Sequence, residues 1–384
     1  MQFSSIFPAF SSALSALSAV ARRSGKYLSF SLFGTAALLL LLAGCGGGSE
    51  TAESASGQQS AEEQQPYDIA VFVPGVVAGS PTYAMLADGV KQAAGEYEHV
   101  SAKVVEGGFN QGEWSDKVTE LAATGRYELI VSTNPALPQI AAEVSRKFPD
   151  QHFLLFDGYL EGNDQIYTFR YNQKEQAFLA GHMAALVSTS SMKYAKEEKT
   201  IGLLAGQEYP DMNNAIRPGF LEGARRVDQE FSLDFRVLGN WYDATKAGEI
   251  AANMYSSGTD VILTIAGGAN QGVVKAAKEN GGYIHWFDTA GYEKAPEHVI
   301  GSTAILQEKA AYTKTKEAIE GSLPYGSGDV VGVAEGWITF VAEDERYKSL
   351  VPEKLRGRQA ELIRKMEAGE ITLEMSSGSE SSEE

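Results

Sequence analysis

The residues able to do chemistry are few, and their spacing decides what they can do. Gly267-Gly268-Ala269-Asn270-Gln271-Gly272 follows the apolar stretch Val261–Ile265 and opens a helical one, with Asp288 sixteen residues beyond Gly272. A glycine turn at a helix start with an acid further on is the arrangement that binds a dinucleotide. Here, however, the middle glycine, which lets the backbone approach a pyrophosphate, is Ala269. The segment also lies in the second series of strands, where that fingerprint does not belong. The five histidines (His99, His152, His182, His285, His298) contain no i,i+4 pair, and the single Cys45 cannot build a thiolate zinc cage. No nucleophile is poised by a histidine. The sequence therefore predicts no catalytic residue, no cofactor and no metal, and an NAD-dependent enzyme is only a distant alternative.

A second set of residues suits binding rather than reaction. Tyr83, Asn134, Asp157, Trp241, Gly267 and Asp288 all stand at or shortly beyond the ends of apolar stretches, and Trp286 lies within one. Rings can stack on a planar solute, and carboxylates can accept from its hydroxyls. Asn134 and Asp157 have an equally plain reading as turn-stabilising residues, and Trp241 and Trp286 as core.

The elements that must position these residues alternate. Apolar runs at Ile69–Val73, Ala102–Val105, Leu129–Ser132 and Phe153–Asp157 are separated by helical spacing such as Met85, Leu86, Val90 and Ala93. A second series runs through Thr200–Ala205, Phe235–Leu238, Asp260–Thr264 and Tyr283–Asp288. Near-continuous apolar strands joined by helices imply parallel sheets covered on both faces, here an α/β chain with two doubly wound lobes. Ligands in such sheets bind beyond the carboxyl ends of the strands. Two facing lobes would turn those ends toward one cleft.

The ends read differently. Residues 1–44 contain no Asp or Glu, and Arg22, Arg23 and Lys26 precede an apolar run from Tyr27 to Leu42. This is the pattern of a signal peptide. Leu42-Ala43-Gly44-Cys45 resembles the bacterial lipobox, which makes Cys45 the expected lipidation site and membrane anchor. Residues 45–66 read as a flexible tether and 376–384 as a disordered acidic tail. With 32 Lys+Arg against 50 Asp+Glu, a net charge of -18 argues against a nucleic-acid partner.

Several segments of the body resemble one family: the basic membrane protein, or purine-nucleoside-receptor-like, substrate-binding lipoproteins of bacterial ABC importers. The similar stretches are Val73-Pro74-Gly75, Phe156-Asp157-Gly158, Phe169-Arg170, Phe178-Leu179-Ala180-Gly181, Gly219-Phe220-Leu221-Glu222-Gly223, Gly239-Asn240-Trp241-Tyr242-Asp243, Ala266-Gly267-Gly268 and Val333-Ala334-Glu335-Gly336. The resemblance implies two Rossmann-like lobes, the type I periplasmic-binding-protein fold, joined by three hinge crossovers. These would fall near Phe169–Asn172, Ser302–Leu306 and after Val330–Glu335. Residues 67–170 plus 304–345 would form the first lobe, 171–303 the second, and 346–375 a helical extension. It also implies a lipid-anchored monomer on the extracytoplasmic face that traps a small solute and delivers it to an ABC permease, without catalysis.

The family's nucleoside receptors hold a base between rings and a ribose with carboxylates. Asp288 matches a ribose-binding position, and Phe169 at the first crossover is a pocket-wall candidate. Other positions depart from that pattern. Val77-Ala78-Gly79-Ser80-Pro81-Thr82-Tyr83 lacks the family's carboxylate, Gln139 replaces a base-reading Asp, and Trp286 replaces a small residue; a Lys gives way near Gln307. Gln139 with Tyr83, Trp241 and Trp286 suits a flavin, as in similar spirochaetal riboflavin-binding lipoproteins. A riboflavin-type solute is therefore the favoured expectation, and a purine nucleoside the alternative.

Overall fold

The computed structural model describes residues 65–375. Two six-stranded sheets are built on one plan. The first contains β1 (Tyr67–Val73), β2 (Val100–Glu106), β3 (Leu129–Thr133), β4 (His152–Phe156), β5 (Ile166–Tyr171) and β11 (Gly328–Val331), in the order β11-β5-β4-β3-β1-β2. The second contains β6 (Thr200–Ala205), β7 (Ser232–Val237), β8 (Val261–Ile265), β9 (Tyr283–Asp288), β10 (Val299–Ile305) and β12 (Ile338–Phe340), in the order β12-β10-β9-β8-β6-β7. Every pairing is parallel except that of β10 with β12. Central strands such as β3 and β8 are buried at every residue, as their near-continuous apolar runs require. This is the two-lobed α/β architecture that the strand pattern predicts.

The helices α1 (Pro81–Ala94), α2 (Trp114–Ala123), α3 (Leu137–Ser145) and α8 (Gln307–Ile319) serve the first lobe, α8 packing along α1. The second lobe holds α4 (Gln173–Ser188), α5 (Arg217–Arg225), α6 (Ala244–Ser256) and α7 (Asn270–Asn280). The closing helices α9 (Glu345–Leu350) and α10 (Glu353–Glu367) also belong there, packing on β10 and α4 respectively. Helix α4 is buried almost throughout and lies tightly on α5. At Gly181 and Gly223 any side chain would collide with the carbonyls of Phe220 and Phe178.

The chain crosses between sheets three times: from β5 into α4, from β10 into α8, and from β11 into β12. Residues 304–345 therefore do not return whole to the first lobe. Their part α8–β11 stands there, whereas β12 pairs with β10 in the second sheet. A three-residue edge strand leaves too short a pattern to read.

The first and third crossovers are tied together through Asn172 and Glu175. Asn172 caps α4, its Oδ1 accepting from Glu175 N, while its own N–H donates to Val331 O at 2.7 Å. Glu175 then accepts from Val333 N at 2.9 Å and from Leu373 N at 3.4 Å, and Asn172 Nδ2 donates to Leu373 O at 2.7 Å. The segment after α10 is thus bonded directly to the first crossover. Burial pushes the Glu175 carboxyl above the usual range, against the pull of those two N–H groups. Glu175→Ala strands two buried donors, and a loss of about 2 kcal/mol in denaturant unfolding is expected. An unchanged midpoint would show that these bonds hold nothing.

Cys45, the signal peptide, the tether up to residue 64 and the acidic tail lie outside the described residues. Among the described residues no helix is long and apolar enough to cross a membrane.

Candidate cleft between the lobes

Two carboxylates mark the site, and the fold gives them matching places. Asp157 follows β4 and Asp288 ends β9, strands that hold the same position in their sheets. Both adopt left-handed backbone, φ 61° and 66°, a conformation costly for a residue with a side chain and best tolerated by Asp and Asn. The same strained backbone thus recurs at one position in both lobes, where each carboxylate meets the first turn of α4.

The hinge supplies their partners. Gln173 and Gln176 sit three residues apart on the first turn of α4, on one face. Gln173 Nε2 donates to Asp157 Oδ1 at 3.1 Å, and Gln176 Nε2 to Asp288 Oδ1 at 3.1 Å and to Thr303 O. Burial raises the Asp157 carboxyl well above its usual range, reinforced by Asp288 and Asp211 and opposed by Arg170. Burial pushes Asp288 up to about 6, with Gln176 opposing.

Three phenols surround this pair. Burial lifts Tyr83 to about 12, the charge of Asp157 adding to the effect, and its hydroxyl donates to Pro74 O at 3.1 Å. Tyr171 and Tyr209 are raised well above their usual value by burial and then by Asp157 and Asp288. Trp241 lies against Gly206, where any side chain would strike its ring, and stands 6.4 Å from Tyr209. Its Nε1 donates to Gln207 Oε1 at 3.2 Å.

Beneath them the first and second crossovers carry buried polar atoms that have no partner among the described residues. These are Tyr171 Oη, Gln173 Oε1, Gln176 Oε1, Thr303 Oγ1, and both amide atoms of Gln307. Buried polar atoms are normally bonded, and six of the twelve that lack a partner among the described residues lie on these two crossovers. Gln307 opens α8 as Gln173 opens α4, so these amides too are paired by the internal repeat.

Arg170 and Asp211 complete the floor. Arg170 is in β5 of the first sheet, whereas Asp211 precedes the π-helical turn Met212–Ile216 of the second lobe. They form a two-point ion pair, Nε to Oδ2 at 3.2 Å and Nη2 to Oδ1, with side chains 8% and 9% exposed.

Of the residues expected from sequence, Tyr83, Asn134, Asp157 and Asp288 come together around this floor, with Trp241 at its second-lobe edge. Asn134 Oδ1 also accepts from Ala136 N at 2.9 Å, so it holds its own turn. Gly267 adopts φ 57°, and its turn holds the Trp241 carbonyl through Ala269 N at 3.2 Å. The glycine run therefore shapes the wall behind Trp241, which accounts for it without a pyrophosphate.

Three positions fall elsewhere. Phe169 is 1% exposed and packed edge-on by Phe156, Tyr171 and Trp337, which makes it hinge core rather than pocket wall. Trp286 is buried over Gly291, its Nε1 donating to Thr289 Oγ1 at 3.1 Å, so its polar edge is already used. Gln139 is exposed on the first turn of α3, and no hydrogen bond among the described residues joins it to the carboxylates.

Gln173, Gln176 and Tyr209 were not predicted from sequence. For Tyr209 a signal exists, since it lies four residues past β6 at a carboxyl end. The glutamines are named by nothing but the fold.

Residues 67–372 match the family model described as "ABC transporter substrate-binding protein PnrA-like". The ABC transporter nucleoside-binding protein BmpA of Lactococcus lactis is 30% identical over 172 residues, 44% of this chain and 46% of that protein. Basic membrane protein A of Borreliella afzelii is 29% identical over 202 residues, 52% of this chain and 58% of its own. The chain thus spans about half the length of the curated relatives it matches. Among solved structures, an ABC transporter solute-binding protein from Aeropyrum pernix superposes with a TM-score of 0.69 at 22% identity, covering 81% of this chain and 94% of that one. A transcriptional activator of the comK gene from Bacillus halodurans reaches 0.62 at 19% identity, covering 80% and 99%. At such identities the likeness is one of fold, and function must come from the site.

Proposed function

The chain belongs to the PnrA-like family of ABC transporter substrate-binding proteins, and from that premise we propose that its cleft captures a small aromatic heterocycle carrying hydroxyls, of the purine-nucleoside type. The observation that carries this reading is the pairing of Asp157 and Asp288, two carboxylates aimed from equivalent strand ends and backed by glutamine amides. Neighbouring hydroxyls of a sugar suit such acceptors, since each O–H can donate to a carboxylate oxygen. Tyr83, Tyr209 and Trp241 offer the apolar faces for the base. The name of the Lactococcus lactis relative, a nucleoside-binding protein, points the same way.

A riboflavin-type solute is the second reading. It shares the hydroxylated chain, which the same acids would hold. Of the four residues that suit a flavin, Gln139 is exposed and Trp286 is packed on Gly291, which leaves Tyr83 and Trp241. We place the protein on the extracytoplasmic face, anchored through Cys45 and delivering solute to a permease.

A thermal-shift panel tests the reading, because a solute that binds only the folded state must stabilise it. Inosine is expected to raise the melting temperature, and a rise with hexoses alone would overturn the proposal.

The pH dependence is specific in sign. An ionised Asp288 accepts from solute hydroxyls, so its share of the affinity is lost as pH falls through about 6, and Asp157, also raised by burial, adds a fall of its own. The fall is at most tenfold per pH unit for one proton. For folding the sign reverses. Asp288 is raised above its unfolded value, so its burial costs stability at pH 7, and that cost disappears as pH falls through 6 toward 4. Titrations of binding at pH 5 and 7 check this, with Asp288→Asn as the control that should remove the part of the fall centred near pH 6.

A further inference from the structure

Only three large apolar side chains among the described residues are exposed, Phe109 (55%), Tyr242 (66%) and Val330 (45%), and two of them meet. Phe109 follows β2 in the first lobe and Tyr242 follows β7 in the second. Their ring centroids lie 6.0 Å apart at 49°. Beside them Gln111 Nε2 of the first lobe donates to Gln207 Oε1 of the second at 3.5 Å. The same Gln207 oxygen accepts from Trp241 Nε1 at 3.2 Å.

Neither aromatic sits on a slack loop. Behind Phe109, Trp114 Nε1 and Lys117 Nζ donate to the carbonyls of Gly108 and Gly107, both at 2.8 Å. Asn110 Oδ1 caps the short helical turn Gln111–Glu113 by accepting from Gly112 N. Beneath Tyr242, Asn240 Oδ1 accepts from the N–H groups of Tyr242 and Asp243 at 3.0 and 2.8 Å, and Asp243 caps α6. Two rigid turns thus hold two apolar rings in solvent, where each gains most by covering the other.

Resting on the solute-binding reading above, we propose that Phe109, Gln111, Gln207 and Tyr242 form a clasp across the cleft mouth that governs solute release. The clasp exists only while the lobes are together, since each contact takes one residue from each lobe. A solute in the cleft leaves only after the ring pair and the amide bond part. Gln207 couples the clasp to the site, because its one carbonyl serves both the cross-cleft amide and the indole that walls the solute. Related complexes differ chiefly in dissociation, and residues closing a site without touching the ligand fit that pattern.

Two measurements test this. In stopped-flow displacement of inosine, Phe109→Ala and Tyr242→Ala are each expected to speed release about tenfold and to change association less than about twofold. The double variant should release no faster than either single one by more than about twofold. Release rates within twofold of the parent, or effects that multiply, overturn the clasp. The second measurement needs no solute. In a chain carrying Cys45→Ser, Gln111→Cys and Gln207→Cys, a short bis-maleimide should join the two thiols, and adding Phe109→Ala should cut the yield several-fold. A yield that Phe109→Ala leaves unchanged also overturns the clasp. If the parent chain binds no inosine but the crosslink behaves as expected, the proposed solute fails and the clasp stands.

Discussion

Arg170→Ala is expected to lower the unfolding free energy by about 3 kcal/mol or more. The guanidinium meets Asp211 at two points, and neither side chain is more than a tenth exposed. Truncation leaves the Asp211 carboxylate buried with no opposite charge, and that uncompensated charge is the source of the penalty. The pair itself need not be strongly stabilising, because bringing both charges out of water offsets much of their attraction. Arg170→Met with Asp211→Leu should therefore recover most of the loss. Because the pair joins a strand of one lobe to a helical turn of the other, the variant should also close less readily. Denaturant titration of the two variants checks the first claim. A loss below about 1 kcal/mol for Arg170→Ala would mean that Asp211 finds water or another partner.

Asp288→Asn is expected to weaken solute binding about a hundredfold with little change in folding. Each hydrogen bond to a charged acceptor contributes about 1.5–3 kcal/mol, and an amide offers one acceptor oxygen where the carboxylate offers two. Stability should hold or rise slightly, since burial already raises this acid to about 6 and the neutral side chain avoids that cost. Asp157→Asn should behave alike, having the matching place and backbone. The comparison separates a binding acid from a turn-stabilising one. A turn role would lower stability and leave affinity alone.

Much of this arrangement is legible in the sequence, and the rest is hidden for identifiable reasons. The strands β1, β3, β6 and β8 are near-continuous apolar runs because both faces are buried over most of their length, so their pattern stands out. By contrast β11 and β12 are four- and three-residue edges with exposed positions, and nothing in their composition marks them. The acids Asp157 and Asp288 are readable because parallel strands put function at their carboxyl ends. Trp286 misleads under the same reasoning. It is one of six strand residues, and its ring turns onto Gly291, a close approach that only the fold reveals. The partners Gln176 and Asp288 are 112 residues apart, and Arg170 and Asp211 are 41, so no local spacing announces either pair.

Equilibrium dialysis of the folded chain at pH 7 against inosine, riboflavin, free hypoxanthine and free ribose tests the central claim most directly. Inosine should bind at one site per chain, and neither hypoxanthine nor ribose alone should bind comparably, because rings and acids act on different parts of one solute. Both Asp288→Asn and Asp157→Asn should remove most of that binding. Inosine failing to bind, or binding unchanged by the loss of both acids, would contradict the account.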